Sequence, residues 1–128
     1  MLLPPTTPFI LHIIVETLAG FSFTLAPRVQ LPDAEPPGQL IVQSYGGTLL
    51  STVLVSLIFV MRPDGLDDTA KMVAAAFAFG HIWPCNRAVA RIRRGDALGG
   101  VFGGPLVHLG VHLLMVGLFA HAAAADGR

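Results

Sequence analysis

Long apolar runs dominate this chain, and short polar segments separate them. The runs cover residues 8–26, 40–61, 69–84 and 101–123. The second and fourth reach the ~20 residues that a helix needs to cross a bilayer. The first carries His12 and Glu16, and the third is short unless its helix continues past Pro84. We therefore predict an all-α fold, a four-helix transmembrane bundle with short loops, formed by residues 1–128 as one domain.

The segments between the apolar runs contain residues that end helices. They read PRVQLPDAEPPG, RPDGLDD and RIRRGDALGG, and are rich in Pro, Gly and Asp. Four basic residues precede the last run, which favours a cytoplasmic position for that connection: Arg87, Arg91, Arg93 and Arg94. With four crossings the Arg28 loop lies on the same side, and both termini face the lumen or exterior.

Composition supports a membrane protein. Hydrophobic residues make up 53% of the chain and charged residues 12%, with a mean hydropathy of +0.67. Eight basic residues balance eight acidic ones, which argues against a nucleic-acid partner and leaves membrane lipids as the expected surroundings. Cys85 is the single cysteine, so an internal disulfide is excluded.

The fourth apolar run has two distinct faces. At 100° per residue, one face carries His108, His112, Met115 and Phe119, and the opposite face carries Gly103, Gly110 and Gly117. Glycines in membrane helices let another backbone approach closely. The histidine face needs a polar partner or a cavity, because lipid does not solvate imidazole.

Helix rise places several ionisable residues at similar depths. At ~1.5 Å per residue, Glu16 lies ~12 Å from the outer surface, His81 ~18 Å and His112 ~16 Å. We predict that these three residues form a cluster within the membrane. His108 and Tyr45 lie deeper, at ~22 and ~24 Å, where they can meet. His12 and His121 are expected near the outer end, where water reaches them.

The predicted cluster suits acid–base chemistry on an apolar molecule. A protonated Glu or His gives a proton to an alkene, epoxide or enone, and a neutral His removes one. We predict catalytic roles for Glu16, His81 and His112, in an isomerase or cyclase acting on a sterol, terpenoid or polyketide. The expected substrate-binding residues share the same depth range or helix face: Tyr45, His108, Met115 and Phe119.

Three alternatives stay open at this point. His12 and Glu16 are four residues apart and can pair with each other, so the cluster can be a packing network. The glycine faces and the arginines suit a non-catalytic scaffold, partnered by a membrane enzyme or a second copy of this chain. His108 and His112 can bind a metal or haem from one helix face. The HExxH signature is absent, since residues 109–111 are Leu-Gly-Val, and we predict no resident cofactor.

Two short stretches resemble a known family. YGGTLLS at 45–51 opens the second helix, and FGH lies at 79–81 in the third. With the layout of residues 8–123, they resemble small four-helix endoplasmic-reticulum proteins of the ergosterol-pathway scaffold family. LAP at 25–27 and YGG at 45–47 give a looser likeness to DoxX-like proteins. The resemblance implies an endomembrane protein that holds lipophilic enzymes or substrates, and it carries over no catalytic residue.

Overall fold

The computed structural model describes residues 4–31, 33, 35–62, 67–95 and 103–125. These residues form five helices, and no strand occurs among them, so the all-α prediction is confirmed for this part of the chain. In chain order the helices are α1 (Thr7–Leu25), α2 (Pro27–Gln30), α3 (Pro36–Met61), α4 (Asp68–Arg93) and α5 (Gly104–Ala124).

Three of the described helices are long and apolar enough to cross a membrane, namely α1, α3 and α5. They support the prediction of a membrane protein. Helix α4 is not among them, because charged side chains flank its apolar part. Between Lys71 and Arg87 lie 15 residues, which span ~22 Å against a hydrocarbon core of ~30 Å.

Helices α3 and α4 extend through prolines beyond the predicted apolar runs. Helix α3 begins at Pro36 rather than at residue 40, since the fixed φ of proline suits the first helical positions. Helix α4 continues through Pro84 to Arg93. Arg87, Arg91 and Arg93 therefore lie on a helix, and the prediction that they belong to a loop is wrong. Pro84 has no N–H to donate to the carbonyl of Gly80.

The chain divides into two compact units, and each is described by itself. The N-terminal unit, Phe9–Pro63, contains α2, α3 and nearly all of α1. The C-terminal unit is Asp64–Arg128 together with Met1–Pro8, and it contains α4 and α5.

In the N-terminal unit α1 and α3 pack antiparallel with their backbones close together. The rings of Phe9 and Phe59 are 5.3 Å apart near one end of the pair. Near the other end, a Cβ built on Gly46 would lie 2.8 Å from the backbone nitrogen of Thr24. Glycine at position 46 is therefore required for this approach, as small residues are at close contacts between membrane helices.

In the C-terminal unit α4 and α5 form a second antiparallel pair. The rings of Phe77 and Phe119 meet edge to face at 5.3 Å. The buried positions of α4 recur every three, four or seven residues, as expected for one helix face: Ala70, Ala74, His81, Cys85 and Ala88. Helix α5 begins after Gly103, whose φ of +85° favours glycine.

Candidate acid–base site

A pair of histidines lies between α4 and α5. Nδ1 of His81 is 2.8 Å from Nδ1 of His112, and the ring centroids are 5.1 Å apart. His81 is only 5% exposed, and His112 is half-buried. The prediction that these two residues come together within the apolar part of the protein is confirmed, since α4 and α5 run antiparallel and place positions 81 and 112 at the same level.

The contact between like atoms fixes how many protons the pair can hold. One Nδ1 must donate its N–H, and the other must accept with its lone pair. When both rings are neutral, the accepting ring carries its proton on Nε2. Two Nδ1–H groups cannot bond to each other, so the pair holds at most one additional proton while the hydrogen bond lasts.

Aromatic and apolar side chains surround the pair within the C-terminal unit. The ring of Phe119 stacks on that of His81 at 5.8 Å with an angle of 16° between the planes. Phe119 and Met115 are fully buried on the same face of α5 as His112. His108 lies one turn from His112 and is half-buried. These three α5 residues are among the predicted substrate-binding residues, and the ring of Phe119 directly contacts that of His81.

The separation of the two nitrogens indicates a shared proton rather than a shared metal ion. Two imidazole nitrogens that bind one tetrahedral zinc ion at ~2.0–2.1 Å lie about 3.3 Å apart. The observed 2.8 Å is the length of a hydrogen bond. This geometry would have to change before His81 and His112 could bind a metal through these atoms.

A second polar contact lies in the N-terminal unit. Nε2 of His12 is 3.1 Å from Oγ1 of Thr52. The Thr52 hydroxyl donates its proton to the carbonyl of Leu49 at 2.7 Å, so it accepts from the Nε2–H of His12. His12 is only 4% exposed, and the prediction that water reaches it is wrong. Sequence reasoning missed this bond because the two residues are 40 positions apart.

Glu16 follows His12 by one turn of α1 and is 3% exposed. It belongs to the N-terminal unit, whereas His81 and His112 belong to the C-terminal unit. The predicted cluster of these three residues therefore stays a prediction. Tyr45 is 39% exposed and meets the ring of Phe23 edge to face at 5.5 Å. The predicted contact between Tyr45 and His108 involves residues of both units, and it also stays a prediction.

Four hydroxyls of α3 fall into two groups. Those of Thr48, Ser51 and Thr52 donate to carbonyls of their own helix, the common arrangement for such side chains. Ser56 is fully buried, and its Oγ has no hydrogen-bond partner among the described residues. Ser56 lies one turn after Thr52 on α3. This spacing is the signal in the sequence from which Ser56 could have been predicted, and it was missed.

Comparison of the chain with protein-family models, curated proteins and solved structures gave no match. The resemblance to the ergosterol-pathway scaffold family stays a prediction. Over the described residues, the fold is all-helical with three helices able to span a membrane, and the site is a hydrogen-bonded imidazole pair in which His81 is buried.

Proposed function

We propose that this chain is a small multi-pass membrane protein that binds a lipophilic small molecule, such as a sterol, terpenoid or polyketide, and transforms it by acid–base catalysis. The observation that carries the proposal is the hydrogen bond between His81 and His112 beside the buried ring of Phe119. Ionisable groups inside membrane helices are costly and by default mark functional sites. An imidazole pair against an aromatic wall suits an apolar molecule with one reactive polar group.

The shared Nδ1 proton leaves Nε2 of His112 as the nitrogen through which protons pass to and from the substrate. In a singly protonated pair, His112 donates its Nε2 proton to an alkene carbon or to the oxygen of an epoxide or enone. The neutral ring then removes a proton from a neighbouring carbon. An isomerisation or cyclisation thus ends with no net change in protons, because the pair is neutral while the substrate carries the positive charge and regains its proton in the last step.

Glu16 enters the proposal as a second acid–base group. It is a buried carboxyl in a helix that can span a membrane. Such a group must pair with a cation or take up a proton, since an isolated carboxylate is very costly in apolar surroundings. Its predicted depth lies within about one helical turn of His81 and His112.

We further propose four crossings, with α4 as the additional one. His81 is buried midway along the apolar part of α4, where a lipid-facing histidine would be costly. Lys71 and Arg87 flank that part, and their long side chains reach toward the two membrane surfaces. Both termini then face the lumen or exterior, in the endoplasmic reticulum or another endomembrane.

Native mass spectrometry of protein purified in mild detergent tests the proposed function. We expect the wild-type protein to retain a lipophilic organic molecule, and His112→Ala to lose it. The matched control is His121→Ala, because His121 is exposed on the same helix. Equal retention by all three proteins, or none by the wild type, would contradict the proposal. If a bound metal or haem is lost only from His112→Ala, the function of the pair is to ligate that group rather than to catalyse acid–base chemistry.

A scaffold is the second candidate, and the open glycine face of α5 favours it. Among the described residues outside its own stretch of helix, a Cβ built on Gly110 or Gly117 would meet nothing within 4 Å. Such a face can receive a helix of a membrane enzyme or of a second copy. Under this candidate function, Gly110→Leu with Gly117→Leu removes co-purifying partners, whereas Gly47→Leu, at an equally open glycine of α3, retains them. Partner lists that do not differ count against the scaffold.

A further inference from the structure

His108 is a third histidine on the face of α5 that carries His112. The two residues are one helical turn apart, so their Cβ atoms lie about 5–6 Å from each other, and both side chains are half-buried. Both rings can therefore contact one molecule while His112 keeps its hydrogen bond to His81. This spacing suits a ligand that has a polar atom and a reactive atom close together.

The carboxyl groups of the described C-terminal unit lie far from these rings. Among residues 67–95 and 103–125, the acidic side chains are Asp67 and Asp68. Asp68 precedes His81 by 13 residues, which is ~20 Å along α4. Within this unit, proton transfer at His112 therefore depends on imidazole rather than on a carboxylic acid.

The hydrogen bond to His81 prepares His112 to act as a base. When Nδ1–H of His112 donates to Nδ1 of His81, Nε2 of His112 carries a lone pair and His81 carries its own proton on Nε2. A proton accepted at Nε2 makes His112 an imidazolium. Nδ1 of His81 stabilises that charge, because the hydrogen bond it accepts becomes charge-assisted. His112 can thus take a proton from a molecule and hold it for return.

The strength of imidazole as an acid and as a base limits the substrates that it can transform. Imidazole changes its charge near neutral pH. It removes a proton from carbon where the resulting negative charge is delocalised, as it is beside a carbonyl group, and imidazolium is too weak an acid to protonate an isolated alkene. An enolate oxygen requires a hydrogen-bond donor directed at it. A neutral histidine can polarise a carbonyl in this way, and His108 is one turn from the base.

We propose that the substrate is an apolar β,γ-unsaturated ketone, which His108 and His112 convert to its conjugated α,β-unsaturated isomer. The inference rests on the proposed function and names its substrate class. An N–H of His108 donates a hydrogen bond to the carbonyl oxygen, and Nε2 of His112 removes a proton from the α carbon.

The step balances in atoms and electrons. The electron pair of the broken C–H bond forms a dienolate, whose negative charge lies on the oxygen that His108 contacts. As the carbonyl re-forms, the γ carbon takes the proton from Nε2 of His112, and the double bond then joins the α and β carbons. His112 returns to its starting state, and neither an oxidant nor a co-reactant is required.

Two sterols that differ in one functional group test the inference. The probes are β,γ-cholestenone, the unconjugated ketone derived from cholesterol, and cholesterol itself, which has the same ring double bond and no carbonyl. Each is mixed with the full-length protein in mild detergent, and conjugated cholestenone is measured by its ultraviolet absorbance. We expect the wild type to convert the ketone faster than detergent alone does, and to leave cholesterol unchanged.

Variants of three α5 histidines separate the two roles. His108→Ala should lower the rate ~100-fold, which is the cost of losing one donor to an oxyanion. His108→Gln keeps an N–H donor, so its rate should stay within about tenfold of the wild type. His112→Gln lacks the base and should lower the rate ~100-fold or more. The matched control His121→Ala, at an exposed histidine of the same helix, should retain the wild-type rate.

Failure of the wild type to convert β,γ-cholestenone would overturn the inference, as would equal rates for His108→Ala and His108→Gln. Conversion of squalene epoxide in place of the ketone would also overturn it, and would leave the proposed function intact. Retention of a lipophile in native mass spectrometry tests the proposed function alone, so the two fail separately. If His112→Gln fails to fold, the two His108 variants still decide whether a hydrogen-bond donor acts at that position.

Discussion

A single hydroxyl gives the sharpest stability test at the scale of residues. Ser56 is fully buried and without a hydrogen-bond partner among the described residues. Burying an unpaired hydroxyl is costly, whereas a methyl group at the same place is not. We predict that Ser56→Ala raises the free energy of unfolding by ~1 kcal/mol. The measurement is the midpoint of thermal unfolding in detergent.

Thr52→Ala is the control for that prediction, because Thr52 is one turn away on α3 and its hydroxyl is paired. The variant leaves the Nε2–H of His12 without its acceptor, so its midpoint should fall. A midpoint for Ser56→Ala below that of the wild type would show that the Ser56 hydroxyl has a partner in the folded protein.

Glu16→Gln tests the carboxyl of the proposed site. Glutamine has nearly the same shape as glutamate but cannot donate or accept a catalytic proton. We predict that turnover of the retained lipophile falls at least ~100-fold, since a positioned acid or base contributes that much or more. The midpoint of thermal unfolding should change little. Unchanged turnover would remove Glu16 from the site and leave the His81–His112 pair to be tested by His112→Gln.

Part of the candidate site could be predicted at this scale. The predicted topology and helix rise together place His81 and His112 at similar depths, and their nitrogens are in hydrogen-bond contact. The burial of His12 was not predictable in this way, because it depends on which helix lies opposite. The sequence of α1 carries no information about Thr52, and depth along one helix does not reveal its neighbours.

At the scale of helices, two adjacent glycines of α3 provide a matched pair. A Cβ on Gly46 would lie 2.7 Å from Cγ2 of Thr24 and 2.8 Å from its backbone nitrogen, whereas one on Gly47 meets nothing within 4 Å. We predict that Gly46→Ala lowers the free energy of unfolding by ~1–3 kcal/mol, as overpacking does. Gly47→Ala should be neutral or stabilising, because alanine favours a helix. Equal midpoints of thermal unfolding would contradict the close approach of α1 and α3.

The existence of the helices was more predictable than their ends. Apolar runs of sufficient length predicted α1, α3 and α5 within a few residues. The run from 69 to 84 missed the last part of α4, because a proline is expected to end a helix. Neighbouring helices can compensate for the missing N–H, and α4 has α5 packed along it. Helix α2 was missed because four residues show no periodicity.

The crossing of α4 is a property of the whole molecule, and two cysteine positions can test it. In a Cys85→Ala background, Asp68→Cys and Arg93→Cys place single thiols at the first and last residues of α4. If α4 crosses the membrane, an impermeant thiol reagent added to sealed vesicles labels Arg93→Cys or Asp68→Cys, but not both. We expect labelling of Arg93→Cys from the cytoplasmic side. If both positions are labelled from one side, α4 does not cross the membrane, and the three helices α1, α3 and α5 are the crossings.

The proton between His81 and His112 also exchanges slowly with the hydrogen of the solvent. It exchanges with solvent only when the two rings separate, and His81 is almost completely buried. Protein moved from H₂O into D₂O therefore retains a light atom at this position after exposed groups have become deuterated. Because protons reach the substrate through Nε2 of His112, the shared hydrogen stays out of the product, and its rate of exchange measures how often the two rings separate.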